Sequence, residues 1–172
     1  MALSHDPITF FEQVVGFKLT AYQRDLAEKF VNNQFVCMCW NRQSGKSYIA
    51  SGLLLNYALT NPGSYIGIVA PSWRQSKLVI RRIRWFLQKL PNEYCPRPAR
   101  TVLYLYNGSI IEAFPCSPDT IRGPSLNVIF WDEANFTPND VEMYDAILFT
   151  ISTTKGKVLI SSTPWNTDSL FY

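Results

Sequence analysis

Ligand chemistry for a structural metal is nearly missing from this chain. One histidine, His5, stands alone near the start, and the four cysteines (Cys37, Cys39, Cys95, Cys116) form no Cys-x-x-Cys pair, so no zinc site is expected. No apolar run reaches the ~18 residues of a membrane span. Gly52 and Asn56 interrupt the longest candidate. The start lacks the basic-then-apolar order of a secretory signal. Strong charge of either sign is also absent. A net charge of +3 permits a polyanionic partner without demanding one. Together these absences describe a soluble intracellular protein, with Cys37 and Cys39 as small core residues of a reducing compartment.

What is present suits one ordinary core: 172 residues, 47% of them hydrophobic, read as a single domain. Strand and helix patterns alternate, which marks an α/β fold. "DPITFFEQVVGF" reads as a short amphipathic helix begun by Asp6-Pro7, and "TAYQRDLAEKFVNN" as a second, with Leu26, Ala27 and Phe30 on one face. The apolar run Phe35 to Trp40 predicts a strand buried on both faces. "SYIASGLLLNYAL" reads as a mostly buried helix, Tyr65 to Ala70 as a second buried strand, and about Trp73 to Leu90 as a long basic helix. A linker follows at Pro91, Pro96 and Pro98. Then "TVLYLY" and "SIIEAF" flank Asn107-Gly108, a hairpin signal for a type I′ turn. "NVIFWDEA" and "KVLISSTP" are two further buried strands with polar residues at their carboxyl ends. Ligands bind off those ends in open parallel sheets.

One more absence frames the chemistry. "CWNRQSGKS" (39–47) ends as a phosphate-binding loop does, yet Trp40 stands where the pattern G-x-x-x-x-G-K-S/T begins with glycine. The setting is nonetheless strand, loop, helix. Gly45 lets backbone approach a phosphate, Lys46 supplies charge, and Ser47 supplies a hydroxyl for Mg²⁺. In "VIFWDEA", four apolar residues carry Asp132 to a strand tip, where a carboxylate can hold Mg²⁺ through water and Glu133 can polarise an attacking water. The two segments together point to a magnesium-dependent nucleoside triphosphatase. Taken singly, each is also a surface turn with a lysine or a strand ending in an acidic turn.

"NRQSGKS", with Arg42 three residues before Gly45, resembles the altered phosphate loop of viral (phage-type) large terminase subunits, the DNA-packaging motors, which do not require the first glycine. "LTAYQRDL", "IGIVAPSWRQS", "SPDTIRGPSLNVIFWDEANF" and "LISSTPW" are similar to further motifs of that family, in family order. The resemblance implies a three-layer P-loop NTPase of the ASCE type, RecA/helicase-like, with a mostly parallel central sheet and an added β-hairpin. It implies an N-terminal ATPase domain over 1–172, with the adenine motif in helices of 1–33 and the P-loop core in 34–172. The family's C-terminal nuclease domain is expected to be absent from this chain.

The resemblance also implies roles. Tyr22 would pack on adenine and Gln23 would bond its edge; Thr20-x-x-Gln23 also fits a helix capping box, and one glutamine does not readily do both. Gln43, Ser44, Gly45, Lys46 and Ser47 would cradle the ATP phosphates, with Mg²⁺ on Ser47 and Asp132. Arg42 would act in cis on the γ-phosphate, or form a salt bridge that fixes the loop. Arg122 would meet phosphate, a neighbouring subunit or solvent. Ser162 and Thr163 would couple hydrolysis to the rest of the protein, or simply end a strand. Implied partners are double-stranded DNA, the portal protein, the small terminase subunit and further copies in a ring on the portal, with no membrane, in the host cell cytoplasm. Arg74, Lys77, Arg81 and Arg84 share one helical face by spacing and could follow DNA phosphates or be a solvated stripe. Two rival functions stand beside the packaging motor: a helicase-like DNA-dependent ATPase, and a nucleotide-gated binding module without significant turnover.

Overall fold

The computed structural model describes residues 3–95, 99–165 and 167–171. Asp6 caps the first helix, α1 (Pro7–Phe10), accepting from the backbone N–H groups of Ile8 at 3.1 Å and Thr9 at 3.0 Å. The segment then widens into a π-helical turn, Phe11–Val15, and stops at Gly16 in the left-handed region. Helix α2 (Ala21–Asn32) buries Leu26, Ala27 and Phe30, the face its periodicity predicts.

The alternating core follows as β1 (Phe35–Cys39), α3 (Lys46–Thr60), β2 (Tyr65–Val69) and α4 (Trp73–Leu87). The hairpin strands are β3 (Val102–Tyr104) and β4 (Ile110–Phe114). A short α5 (Pro118–Ile121), β5 (Val128–Trp131), α6 (Asp140–Ser152) and β6 (Lys157–Ser162) complete it. Six strands make one sheet in the order β1-β6-β5-β2-β4-β3. Every pairing is parallel except β3 with β4. Side chains of β5 divide by alternation: Val128 and Phe130 enter the core shared with Phe11, Leu53 and Ile83, whereas Ile129 and Trp131 enter the one shared with Ala146 and Ile147. Helices thus cover both faces of the sheet, and the fold is the three-layer P-loop, RecA-like arrangement. Among the described residues, no helix is long and apolar enough to cross a membrane.

Three expectations are corrected. First, β1 is not buried on both faces. Val36 and Met38 are buried, while Phe35, Cys37 and Cys39 are exposed, so those two cysteines are not core residues. The strand lies at the end of the sheet, beside β6 alone, and a run of apolar residues carries no information about which strand is last. Second, the hairpin is not closed by a type I′ turn. Leu105 N–H bonds Ser109 O at 2.8 Å and Gly108 N–H bonds Leu105 O at 3.0 Å, which makes a three-residue loop with Gly108 alone at positive φ. Asn107 is drawn elsewhere, donating to Ala58 O at 2.8 Å and Leu59 O at 3.1 Å at the end of α3. Third, the basic helix stops at Leu87 rather than near Leu90. Pro96 and Pro98 of the expected linker lie outside the described residues.

Helix α3 is apolar almost all round and nearly enclosed. Its Gly52 admits the ring of Phe11: a Cβ there would stand 2.0 Å from Phe11 Cζ. Gly52, which breaks the apolar run in sequence, is therefore a packing residue.

Candidate active site

Strand order determines what meets. With β6 between β1 and β5, the loop after β1, the acidic tip of β5 and the polar exit of β6 open at one end of the sheet. In the first of these, Gln43 (φ 62) and Gly45 (φ 85) are both left-handed, and Gly45 caps α3. Ser44 Oγ donates to Asn41 O at 2.7 Å, tightening the loop. Tyr48 and Ile49 N–H both bond Gly45 O at 3.0 Å, which leaves the N–H groups of Lys46 and Ser47 as the first-turn donors of α3 with no carbonyl inside the helix to bond. Trp40 leans its half-buried ring on Tyr22, edge to face at 4.9 Å, and Tyr22 Oη donates to Ser44 O at 3.1 Å. The missing glycine is thus replaced by an aromatic ring that packs on Tyr22 and against the core.

Lys46 is only 6% exposed. Its ammonium donates to Trp40 O (3.0 Å), Asn41 O (3.1 Å) and Thr163 Oγ1 (3.1 Å), and lies 3.9 Å from Glu133 Oε1. Ser47 Oγ donates to Asp132 Oδ2 at 3.0 Å, and Ser161 Oγ donates to Asp132 Oδ1. Burial pushes the Asp132 carboxyl above the usual range, against the pull of those two hydroxyls and with the repulsion of Glu133 behind it. Glu133 sits in the left-handed region (φ 51), which turns its carboxylate back toward β6. There it accepts from Thr163 N–H at 3.3 Å and Thr163 Oγ1 at 3.4 Å, with Ser162 Oγ at 3.5 Å. Ser162 Oγ also accepts from Asn135 N–H at 3.1 Å.

A cleft of about 600 Å³ opens over these groups, lined by Arg42 through Tyr48, Gln75, Arg82, Glu133 and Phe136. Of the residues expected from sequence, Arg42, Gln43, Ser44, Gly45, Lys46, Ser47 and Glu133 line it. Asp132 lies beneath, bonded to Ser47, and Ser162 and Thr163 flank Glu133. Among the described residues Arg42 forms no ion pair, so the loop-fixing salt bridge is not made. Gln23 divides its amide: Oε1 accepts from Thr20 N–H at 3.1 Å in the capping box, and Nε2 is turned toward Gly45. Arg122 is not brought to the cleft lining. It is exposed beside Asp119 at 3.3 Å and Glu142 at 3.9 Å. Arg74 and Arg81 are exposed on α4, with Lys77 and Arg84 half-buried along the same stripe.

Sequence reasoning placed Ser161 at the polar end of its strand without a role, and missed Gln75 and Arg82. Ser161 is legible only from register, since β6 places it in line with Met38 of β1 and turns it to the β5 tip. Gln75 and Arg82 stand seven residues apart, two turns along one face, a spacing masked by four other basic residues of α4.

A family described as terminase large subunit, T4likevirus-type, N-terminal, matches residues 38–172. The curated large terminase subunit of Thermus phage G20c is 27% identical over 182 residues, covering 92% of this chain and 36% of that protein. The chain therefore spans little more than a third of the length of the curated relatives it matches. The solved ATPase domain of the Thermus phage P74-26 large terminase, a mutant form, superposes with TM-score 0.78 at 25% identity, over 97% of this chain and 73% of that one. The large terminase of bacteriophage HK97 superposes with TM-score 0.77 over 95% of this chain and 38% of that one, a likeness of fold alone at 19% identity. The chain belongs to the phage terminase large subunit family and corresponds to its N-terminal domain.

Proposed function

We propose that this domain hydrolyses ATP with Mg²⁺ and that hydrolysis drives double-stranded DNA into a viral procapsid. One observation carries the reading: Lys46, Ser47, Asp132 and Glu133 converge from two segments 85 residues apart, with Ser47 Oγ 3.0 Å from Asp132 Oδ2. The donor set fits the ion. Ser47 and Asp132 offer hard oxygens, and the Asp132 carboxylate is buried with hydroxyl partners and no cation bonded to it among the described residues. Mg²⁺ held by Ser47 and Asp132 would supply neutralisation of phosphate charge.

The chain's own groups do the rest. The N–H groups of Lys46 and Ser47 and the Lys46 ammonium bind the phosphates, and Arg42, which lines the cleft, stabilises charge on the transferring group. Glu133, held by Thr163, orients the attacking water and accepts its proton. Ser162 and Thr163 touch that carboxylate directly, so they are suited to relay its state to β6. Tyr22, which donates to Ser44 O, and Gln23, whose Nε2 is turned toward Gly45, form the adenine end. The portal protein, the small terminase subunit and neighbouring copies in a ring, Arg122 serving between copies, complete the proposed machine.

Phosphate release from wild type, Glu133→Gln and Lys46→Ala tests this. Glu133→Gln should lose turnover by about 10²-fold or more while nucleotide still binds, and Lys46→Ala should weaken binding itself. Equal, near-background release from wild type and Glu133→Gln would favour a binding module instead. Unchanged affinity in Lys46→Ala would refute the phosphate assignment.

A further inference from the structure

Four basic residues of α4 follow its outer stripe, but Arg82 does not. It shares a face with Gln75, two turns earlier, and lines the same cleft as Lys46, Ser47 and Glu133. It is half-buried, and among the described residues no hydrogen bond or ion pair engages its five donors. A guanidinium withdrawn from water without a partner is costly unless an anion completes it. Burial works against its charge, and the field of Asp132 opposes that loss.

Topology selects the anion. Strand β2 pairs with β5, so the helix that leaves β2 brings Gln75 and Arg82 into the cleft that Glu133 lines, whereas Tyr22 is not part of that lining. Arg82 does not bond Asp132, which is already occupied by Ser47 and Ser161. From this placement we infer that Arg82 is a second in-cis cation for the terminal phosphate of the nucleotide, delivered to the cleft by α4. The inference rests on the nucleotide reading above and adds to it a residue that neither loop nor acidic strand supplies. It also divides α4 between two tasks, with one face toward the cleft and the stripe of Arg74, Lys77, Arg81 and Arg84 toward solvent.

The test is equilibrium titration at fixed Mg²⁺ with a non-hydrolysable ATP analogue and with AMP. The proteins are wild type, Arg82→Gln, Arg82→Lys and Lys46→Ala, with thermal melting run alongside. Arg82→Gln should weaken the triphosphate about tenfold or more, the scale of a charge-assisted bond, and leave AMP unchanged. Arg82→Lys should restore most of the loss, which separates charge from packing. Triphosphate affinity in Arg82→Gln equal to wild type, with Lys46→Ala weakened, would overturn the role of Arg82 alone. An equal loss for triphosphate and AMP would also overturn it. Unchanged affinity in Lys46→Ala would bring down the nucleotide reading, and this inference with it.

Discussion

Ser47 and Asp132, 85 residues apart in the chain, meet through one hydrogen bond of 3.0 Å that joins the start of α3 to the tip of β5. It sets a carboxylate among the hydroxyls of Ser47 and Ser161, buried where its proton is held more tightly than usual.

Asp132→Asn should therefore stabilise the protein free of metal and nucleotide at neutral pH. The sign follows from linkage: a carboxyl with a raised folded value binds its proton more tightly when folded, so its contribution to stability falls as pH rises through that value. Removing the charge relieves that loss. A gain of about 1 kcal/mol would appear as about 2–4 °C in Tm at pH 7, shrinking as pH falls from the raised folded value toward the ordinary carboxylate range, where it vanishes. The same variant should lose the stabilisation that Mg²⁺ with ATP gives wild type. Calorimetry across pH, with and without Mg²⁺ and ATP, checks both signs.

Trp40→Gly restores the residue that the usual loop pattern would have. The edge-to-face contact with Tyr22 would be lost, so stability should drop by about 2 kcal/mol. Nucleotide affinity should stay within about threefold of wild type, because the ring lies outside the cleft lining. Chemical denaturation and ATP titration separate the two quantities. A stable but nucleotide-blind Trp40→Gly would show that the ring shapes the phosphate loop from within.

Two glycines should fail differently as alanine. Gly52→Ala drives a Cβ into the Phe11 ring and should cost about 1–3 kcal/mol while a folded fraction keeps its nucleotide affinity. Gly45→Ala is strained at φ 85 and presses on Gln23 Nε2 at 3.0 Å, so it should lose affinity as well as about 1–3 kcal/mol of stability. Melting curves paired with ATP titration distinguish them.

The outer stripe of α4 predicts a salt dependence. If Arg74, Lys77, Arg81 and Arg84 all contact duplex phosphates, log affinity for DNA should fall against log[salt] with slope roughly −3 to −4. Replacing Arg81 and Arg84 with Gln should flatten the slope by roughly 2. A slope unchanged by that pair would move the DNA surface elsewhere.

The sequence made the three segments of the site legible because each joins an apolar run to a polar tip, a pattern that survives without knowledge of neighbours. Lys46, Ser47, Asp132 and Glu133 were readable for that reason. Features that depend on neighbours were not. The exposure of Cys37 and Cys39 follows from β1 being last in the sheet, and strand order is not written in one strand's composition. The hairpin turn was misread because Asn107 bonds the end of α3 across 48 and 49 residues of chain, a tertiary demand that outweighs the local preference of Asn-Gly. Arg82 was hidden among other cations of α4, where spacing alone does not say which side is inward.

Lysine has three protons to give, and Lys46 gives all of them to its own protein: Trp40 O, Asn41 O and Thr163 Oγ1. Any guest that recruits this ammonium must first cancel one of those commitments. The hydroxyl of Thr163 is the only one of the three beyond the loop, and it leans in turn on Glu133. In the proposed motor, a nucleotide that took the bond to Thr163 would act, through a withdrawn proton, on the residue just past the last strand.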